Sequence, residues 1–191
     1  MKYFSCFIFL LTVTANFGQK PCDFTTNVVD SIGSYKTTKE YLLYEKNFGG
    51  NATYIFGSFI LTDEKALFNF QLIEKSAEFI KAKCLDKNSK IFVQLNNNKI
   101  ITLSFASEES CGTLVRDDKG LNNRILSGYF NINKADYGNL KESQISFIRI
   151  KFVPDTADFV MRKEFKSELN NEVYQPESYF MDFIHCLEST N

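Results

Sequence analysis

Ile91-Phe92-Val93-Gln94-Leu95-Asn96-Asn97-Asn98-Lys99-Ile100-Ile101-Thr102-Leu103-Ser104-Phe105 is the stretch that decides the fold. Ile91, Val93 and Leu95 alternate with Phe92 and Gln94 on the way out. Ile101, Leu103 and Phe105 alternate with Thr102 and Ser104 on the way back. A period of two is the period of a strand. Between the two runs, three asparagines supply residues that tolerate positive φ. One apolar and one mixed face predict an antiparallel hairpin in a sheet with one wet side.

The same alternation extends in both directions. Strands are expected over residues 41–48, 54–61 and 66–73, with a weaker one over 79–84. Gly57 inside the second marks a bulge or a close approach. Phe68, Phe70 and Leu72 share one face of the third. Further strands are expected over 126–132, 145–153 and 159–161. In the 145–153 strand, Ile148, Ile150 and Phe152 oppose Arg149 and Lys151, and Pro154 ends it because proline cannot donate to a ladder. Residues 62–65 read as a turn, 108–123 as a polar loop and 134–141 as a short helix. Pro176 suits a first helical turn, and Tyr179, Phe180, Phe183, Ile184 and Leu187 fall on one helical face, which predicts a helix over about 176–188. The expected architecture is one mainly β domain over 19–191. It is an antiparallel β-sandwich or barrel of about eight or nine short strands with a C-terminal α-helix.

Composition narrows the function. The chain has 191 residues, is 44% hydrophobic and 24% charged, and balances 22 Lys plus Arg against 23 Asp plus Glu. That excludes a disordered chain and gives no electrostatic footprint for nucleic acid. There is one His and no Trp.

Residues 1–18 read as a cleaved secretory signal. Lys2 provides the positive start, Phe4, Phe7, Ile8, Phe9, Leu10 and Leu11 an apolar run too short to span a bilayer, and small residues follow. Cleavage after Ala15 or after Gly18 fits. Losing Lys2 leaves 21 basic and 23 acidic residues, a net of -2. No later segment is long and apolar enough for a membrane helix. The expected home is the periplasm or the exterior.

Cys22, Cys84, Cys111 and Cys186 remain after the signal. An even number in an exported chain points to disulfides, and four cysteines allow three pairings. The favoured one joins Cys22 to Cys186, near the two ends, and Cys84 to Cys111, which flank the hairpin. No two of these cysteines are close in sequence, which argues against zinc. No metal and no cofactor is expected.

Catalytic patterns are weak. His185 matches no motif and reads as a boundary residue on the last helix. A Cys–His pair with Cys186 is disfavoured, because neighbours in a helix do not face each other. Carboxylate pairs at Asp63-Glu64, Glu108-Glu109, Asp117-Asp118 and Asp155/Asp158 all fall in expected turns, where such residues are common. Gly49-Gly50 reads as a turn. Asn51-Ala52-Thr53 is an N-glycosylation acceptor pattern. The aromatic excess, 20 Phe and 9 Tyr, either fills a core lacking Trp or lines a cavity for an apolar ligand, and core filling is the favoured reading.

Gln19-Lys20-Pro21-Cys22-Asp23 and the run 130–152, with the closing Phe183-Ile184-His185-Cys186-Leu187, resemble small secreted proteins of Bacteroidetes-type bacteria. That is a loose group without assigned activity, and the resemblance covers about half the chain. In it a Cys near the mature start and a Cys-Leu or Cys-Ile near the end recur. The resemblance supports the Cys22–Cys186 pairing and an envelope or secreted home. It also implies O-glycosylation patterns at Asp30-Ser31-Ile32 and Asp155-Thr156-Ala157, with Thr156 and Ser31 as acceptors.

The expected function is a non-enzymatic, disulfide-stabilised β-domain that binds or scaffolds in the cell envelope. Its partner is an envelope protein or a small apolar ligand, and the Arg149/Lys151 face is a candidate surface. The alternatives are a lipocalin-like carrier of a small apolar ligand and a hydrolase using loop carboxylates.

Overall fold

A computed structural model describes residues 19–31, 33–63 and 65–188. The expected signal, 1–18, lies outside them, as do Ile32 and Glu64. The chain is mainly antiparallel β. Its strands are β1 (Phe24–Val29), β2 (Ser34–Thr38), β3 (Tyr41–Phe48), β4 (Asn51–Thr62), β5 (Ala66–Ser76), β6 (Lys90–Leu95) and β7 (Ile100–Phe105). They continue with β8 (Thr113–Arg116), β9 (Asn122–Asn131), β10 (Ile145–Lys151), β11 (Thr156–Val160), β12 (Phe165–Lys166) and β13 (Val173–Tyr174). A short helix α1 (Tyr137–Glu142) precedes β10, and α2 (Tyr179–Phe183) lies near the end.

Eleven strands form one sheet along the path β1-β2-β4-β5-β9-β7-β6-β10-β11, with β3 added to β4 and β8 to β9. β5 pairs along the whole of β9, whereas β7 holds β9 only at Ser104↔Asn131 and Phe105↔Phe130. That narrow grip is the corner between two halves, and both halves contribute to one core. β1 and β11 end the path, and no ladder joins them among the described residues. The sheet is therefore sandwich-like and not a closed barrel. Its interior is solid: Phe59, Phe68, Phe70, Phe130, Phe152 and Phe180 are all fully buried. A lipocalin-like carrier needs an open lumen, and the side chains fill that space.

The hairpin forms as its alternation requires. Ile91, Val93, Leu95, Ile101 and Leu103 are buried. Asn98 adopts φ 66° and its N–H donates to the Leu95 carbonyl. The inward faces of β5 and β10 also match, with Phe68, Phe70 and Leu72, and Ile148 and Ile150, in the core.

Other expectations need correction. Residues 79–84 form no strand: Phe79 is 76% exposed, and only Cys84 bridges, to Val153. The expected 108–123 loop contains β8, which completes the free edge of β9 with every residue exposed and therefore no alternation to read. β1, β2, β12 and β13 raise the strand count above nine for the same reason, since they bury little or are two residues long. The final helix is not continuous α. A 3-10 turn (Pro176–Ser178) leads into α2, and a second (Ile184–Leu187) follows. Phe183, at φ -126° and ψ -9°, leaves α-helical geometry, although the Ile184 N–H still donates to the Phe180 carbonyl.

β2 and β3 lie end to end along one edge of β4. Thr38, at the gap, accepts a 2.8 Å hydrogen bond from the Phe59 N–H through its Oγ1. Gly57 is a close approach. A Cβ there would lie 2.7 Å from Phe68 Cε2 and 2.8 Å from Leu43 Cδ1, both in the core. Gly57→Ala is expected to destabilise the fold by about 1–3 kcal/mol through overpacking, read as a lower urea midpoint with an unchanged slope.

Candidate functional site

Three distant segments meet at one end of the molecule. The N-terminal segment brings Lys20, Cys22 and Asp23. The β2–β3 junction brings Thr38, Lys39, Glu40 and Tyr41. The β12–β13 hairpin and α2 bring Glu172, Val173, Tyr174, Tyr179 and Phe183. The hairpin turn depends on Asn171 at φ 62°, which asparagine tolerates, and the Ser167 N–H donates to the Glu172 carbonyl at 2.9 Å.

These segments enclose a trough. Tyr41, Tyr174, Tyr179 and Phe183 line a hollow of about 200 Å³, rimmed by Asp23, Lys39, Glu40 and Glu172. It shares Thr38, Lys39, Glu40, Glu172 and Tyr174 with an open, more polar hollow of about 460 Å³. The aromatic wall is closely packed. Tyr41 lies 5.1 Å from Tyr174 edge-on, 5.3 Å from Tyr179 and 5.4 Å from Phe183 between ring centroids. The Tyr41 hydroxyl accepts from the Gln175 N–H at 2.7 Å. Tyr174 donates to Glu172 Oε2 at 2.8 Å, which fixes that carboxylate at the rim. Burial raises the pKa of Tyr41, Tyr174 and Tyr179, so all three stay neutral hydroxyls at ordinary pH.

Beside the trough sits the Cys22–Cys186 disulfide, separated by 164 residues in the chain. Lys20 supports it: its ammonium pairs with Asp182 at 2.8 Å and lies 5.9 Å above the Phe183 ring. His185 is half-buried at the boundary, as expected, and folding sets it beside the disulfide. Its Nε2 is 3.2 Å from Cys22 Sγ and 3.8 Å from Cys186 Sγ. Helical neighbours do not face each other in an α-helix, but this turn is 3-10 and Cys22 arrives from the other end of the chain. Folding thus gathers Cys22, Cys186 and His185 donor atoms within 4.8 Å, a grouping that sequence spacing could not reveal. Both sulfurs are joined to each other in this structure. The second disulfide, Cys84–Cys111, closes the hairpin region.

The carboxylates expected in turns have structural work, and one of them, Asp158, lies not in a turn but in β11, opposite Arg149. Asp63 accepts from the Ser34 hydroxyl and from its N–H. Asp117 accepts from the Leu121 and Lys119 N–H groups and pairs with Lys75 at 2.6 Å. Asp158 takes a two-pronged contact from Arg149, at 2.6 Å on each side. Hydrogen bonding from Ser34, Lys75 and Arg149 respectively lowers all three carboxyl pKa values. A general acid needs the opposite shift. The Arg149 charge is thereby matched within its own sheet face, while Lys151 is exposed beyond it. Thr156 is exposed at the start of β11, beside Asp155, which lies 3.7 Å from Lys81. Ser31 is exposed next to Ile32, which is outside the described residues.

These lowered carboxyl pKa values set the sign of the acid response. Each contributes stability above the ordinary carboxylate range that disappears as pH falls through its folded value. The thermal midpoint is expected to hold from neutral pH to about 4 and to fall below it. Asp158→Asn should make that fall shallower and cost little at pH 7, because the Arg149 pair is exposed.

No family model, no curated protein and no solved structure matches the chain.

Proposed function

We propose that the chain is an exported, non-enzymatic binding domain of the cell envelope or exterior, and that it binds through the aromatic trough. The observation that carries this is the trough itself, in which a wall of tyrosines and Phe183 faces a rim of three carboxylates and one amine. Aromatic faces and carboxylates both attract cations, so the ligand class that fits is one with an ammonium or guanidinium group on an apolar body. The charged, signal-like N-terminus and the two disulfides support a location outside the cytoplasm. No helix among the described residues is long and apolar enough to cross a membrane. The resemblance to secreted Bacteroidetes-type proteins fits the same setting, in which Thr156 and Ser31 would be the sugar acceptors. The Asp63, Asp117 and Asp158 carboxylates are already held by hydrogen bonds, which weighs against hydrolysis.

Native mass spectrometry tests this on the mature protein from its host's envelope fraction, with a denatured run alongside. The expected result is an excess mass that disappears on denaturation. Val173 lines the trough and is 58% exposed. Val173→Arg should fill the site, add a competing cation and abolish the excess mass without altering the thermal midpoint. A bare mass for the unmodified protein, or an excess that survives Val173→Arg, would count against the trough as the binding site.

A further inference from the structure

We propose that the Cys22–Cys186 bond is a thiol-exchange site for a dithiol partner, with His185 as the side chain that steadies the departing thiolate. The observation is independent of the trough's ligand.

His185 is the chain's one histidine, and folding sets it against both sulfurs, 3.2 Å from Cys22 Sγ and 3.8 Å from Cys186 Sγ. A disulfide sulfur has no hydrogen to give, so a hydrogen bond here requires Nε2 to carry the proton. His185 Nδ1 agrees: it is buried with no partner, a place that suits a bare lone pair better than an N–H. The N–H is thus aimed at the reacting atoms in advance.

The two sulfurs are unequal. Cys186 is fully buried, while Cys22 is half-buried on the N-terminal segment. An incoming thiolate therefore reaches Cys22 Sγ. The new S–S bond forms there, the Cys22–Cys186 bond breaks, and Cys186 Sγ leaves with the electron pair. A buried thiolate is costly unless a donor meets it, and the His185 N–H is the donor in place. The partner's second thiol then attacks the mixed disulfide and releases the Cys22 thiolate. Both thiolates of the chain finish as thiols by taking the two protons that the partner's thiols gave up. The chain's disulfide is reduced to two thiols and the partner dithiol is oxidised to a disulfide, so atoms and electrons balance.

Cys84–Cys111 is a control within the same molecule. It lacks a histidine, and its Cys111 is more exposed than Cys22. The oxidised, folded chain would be treated with dithiothreitol at fixed pH, quenched by alkylation at intervals, and the opening of each bond followed by peptide mass spectrometry. Cys22–Cys186 is expected to open first despite its lower exposure. His185→Ala should slow that opening by about tenfold or more, as loss of a positioned donor does, and leave Cys84–Cys111 unchanged. His185→Gln, which restores an N–H, should recover part of the rate. Loss of fold would speed both bonds, so slowing confined to one cannot come from misfolding. An unchanged or faster rate in folded His185→Ala would overturn the proposal. If that variant does not fold, the wild-type order decides, and earlier opening of Cys84–Cys111 overturns it.

Discussion

Tyr179 and Phe180 are the residues around which the molecule closes. Phe59 of β4 lies 5.3 Å from Tyr179 and 6.0 Å from Phe180, and Phe68 of β5 lies 5.8 Å from Phe180. The sheet has two open ends and turns its corner on two residue pairs, so hydrogen bonding alone would hold its halves loosely together. The C-terminal aromatic pair covers β4 and β5 of one half, and Phe70 of β5 meets Phe152, just past β10 of the other half, at 6.4 Å. Burying each such ring contributes about 1.5–3 kcal/mol, and the ring–ring geometry adds a further ~0.5–1.5 kcal/mol per pair.

That insertion also sets everything at the chain's far end. With Tyr179 fixed, Tyr41 and Phe183 are placed as the trough's wall. With the backbone bent out of α-helical geometry at Phe183, the last turn carries Cys186 onto Cys22. In the chain-entropy model, closing a loop of this length removes about 5 kcal/mol of freedom from the unfolded chain. Trough and staple are both built on the same C-terminal segment that packs into the core.

The core was legible in the sequence and its margins were not. Ile91 to Leu95 and Ile148 to Phe152 alternate because one face of each strand is buried, and burial is what writes a period into a sequence. Thr113–Arg116 pairs as faithfully as they do, yet it buries nothing and so leaves no period. Phe79 reads as an apolar strand residue but lies on the surface, where the Arg124 guanidinium covers its ring at 6.0 Å. The trough was hidden differently. Tyr41 had a sufficient explanation as a strand residue, and Tyr179 and Phe183 as a helical face, so nothing local signalled that they converge. His185 holds the boundary position its spacing predicts, but its neighbourhood is made by Cys22, 163 positions away, which no local pattern shows.

The placement of the aromatic pair has a consequence for how the chain is made. A ribosome delivers residues in order, and β4 and β5 emerge long before residues 179–187. Until those last residues arrive, Phe59 and Phe68 have no covering layer and the half-built sheet presents an oily face to whatever surrounds it. The last residues complete the core that the first strands begin, so the domain closes as one unit.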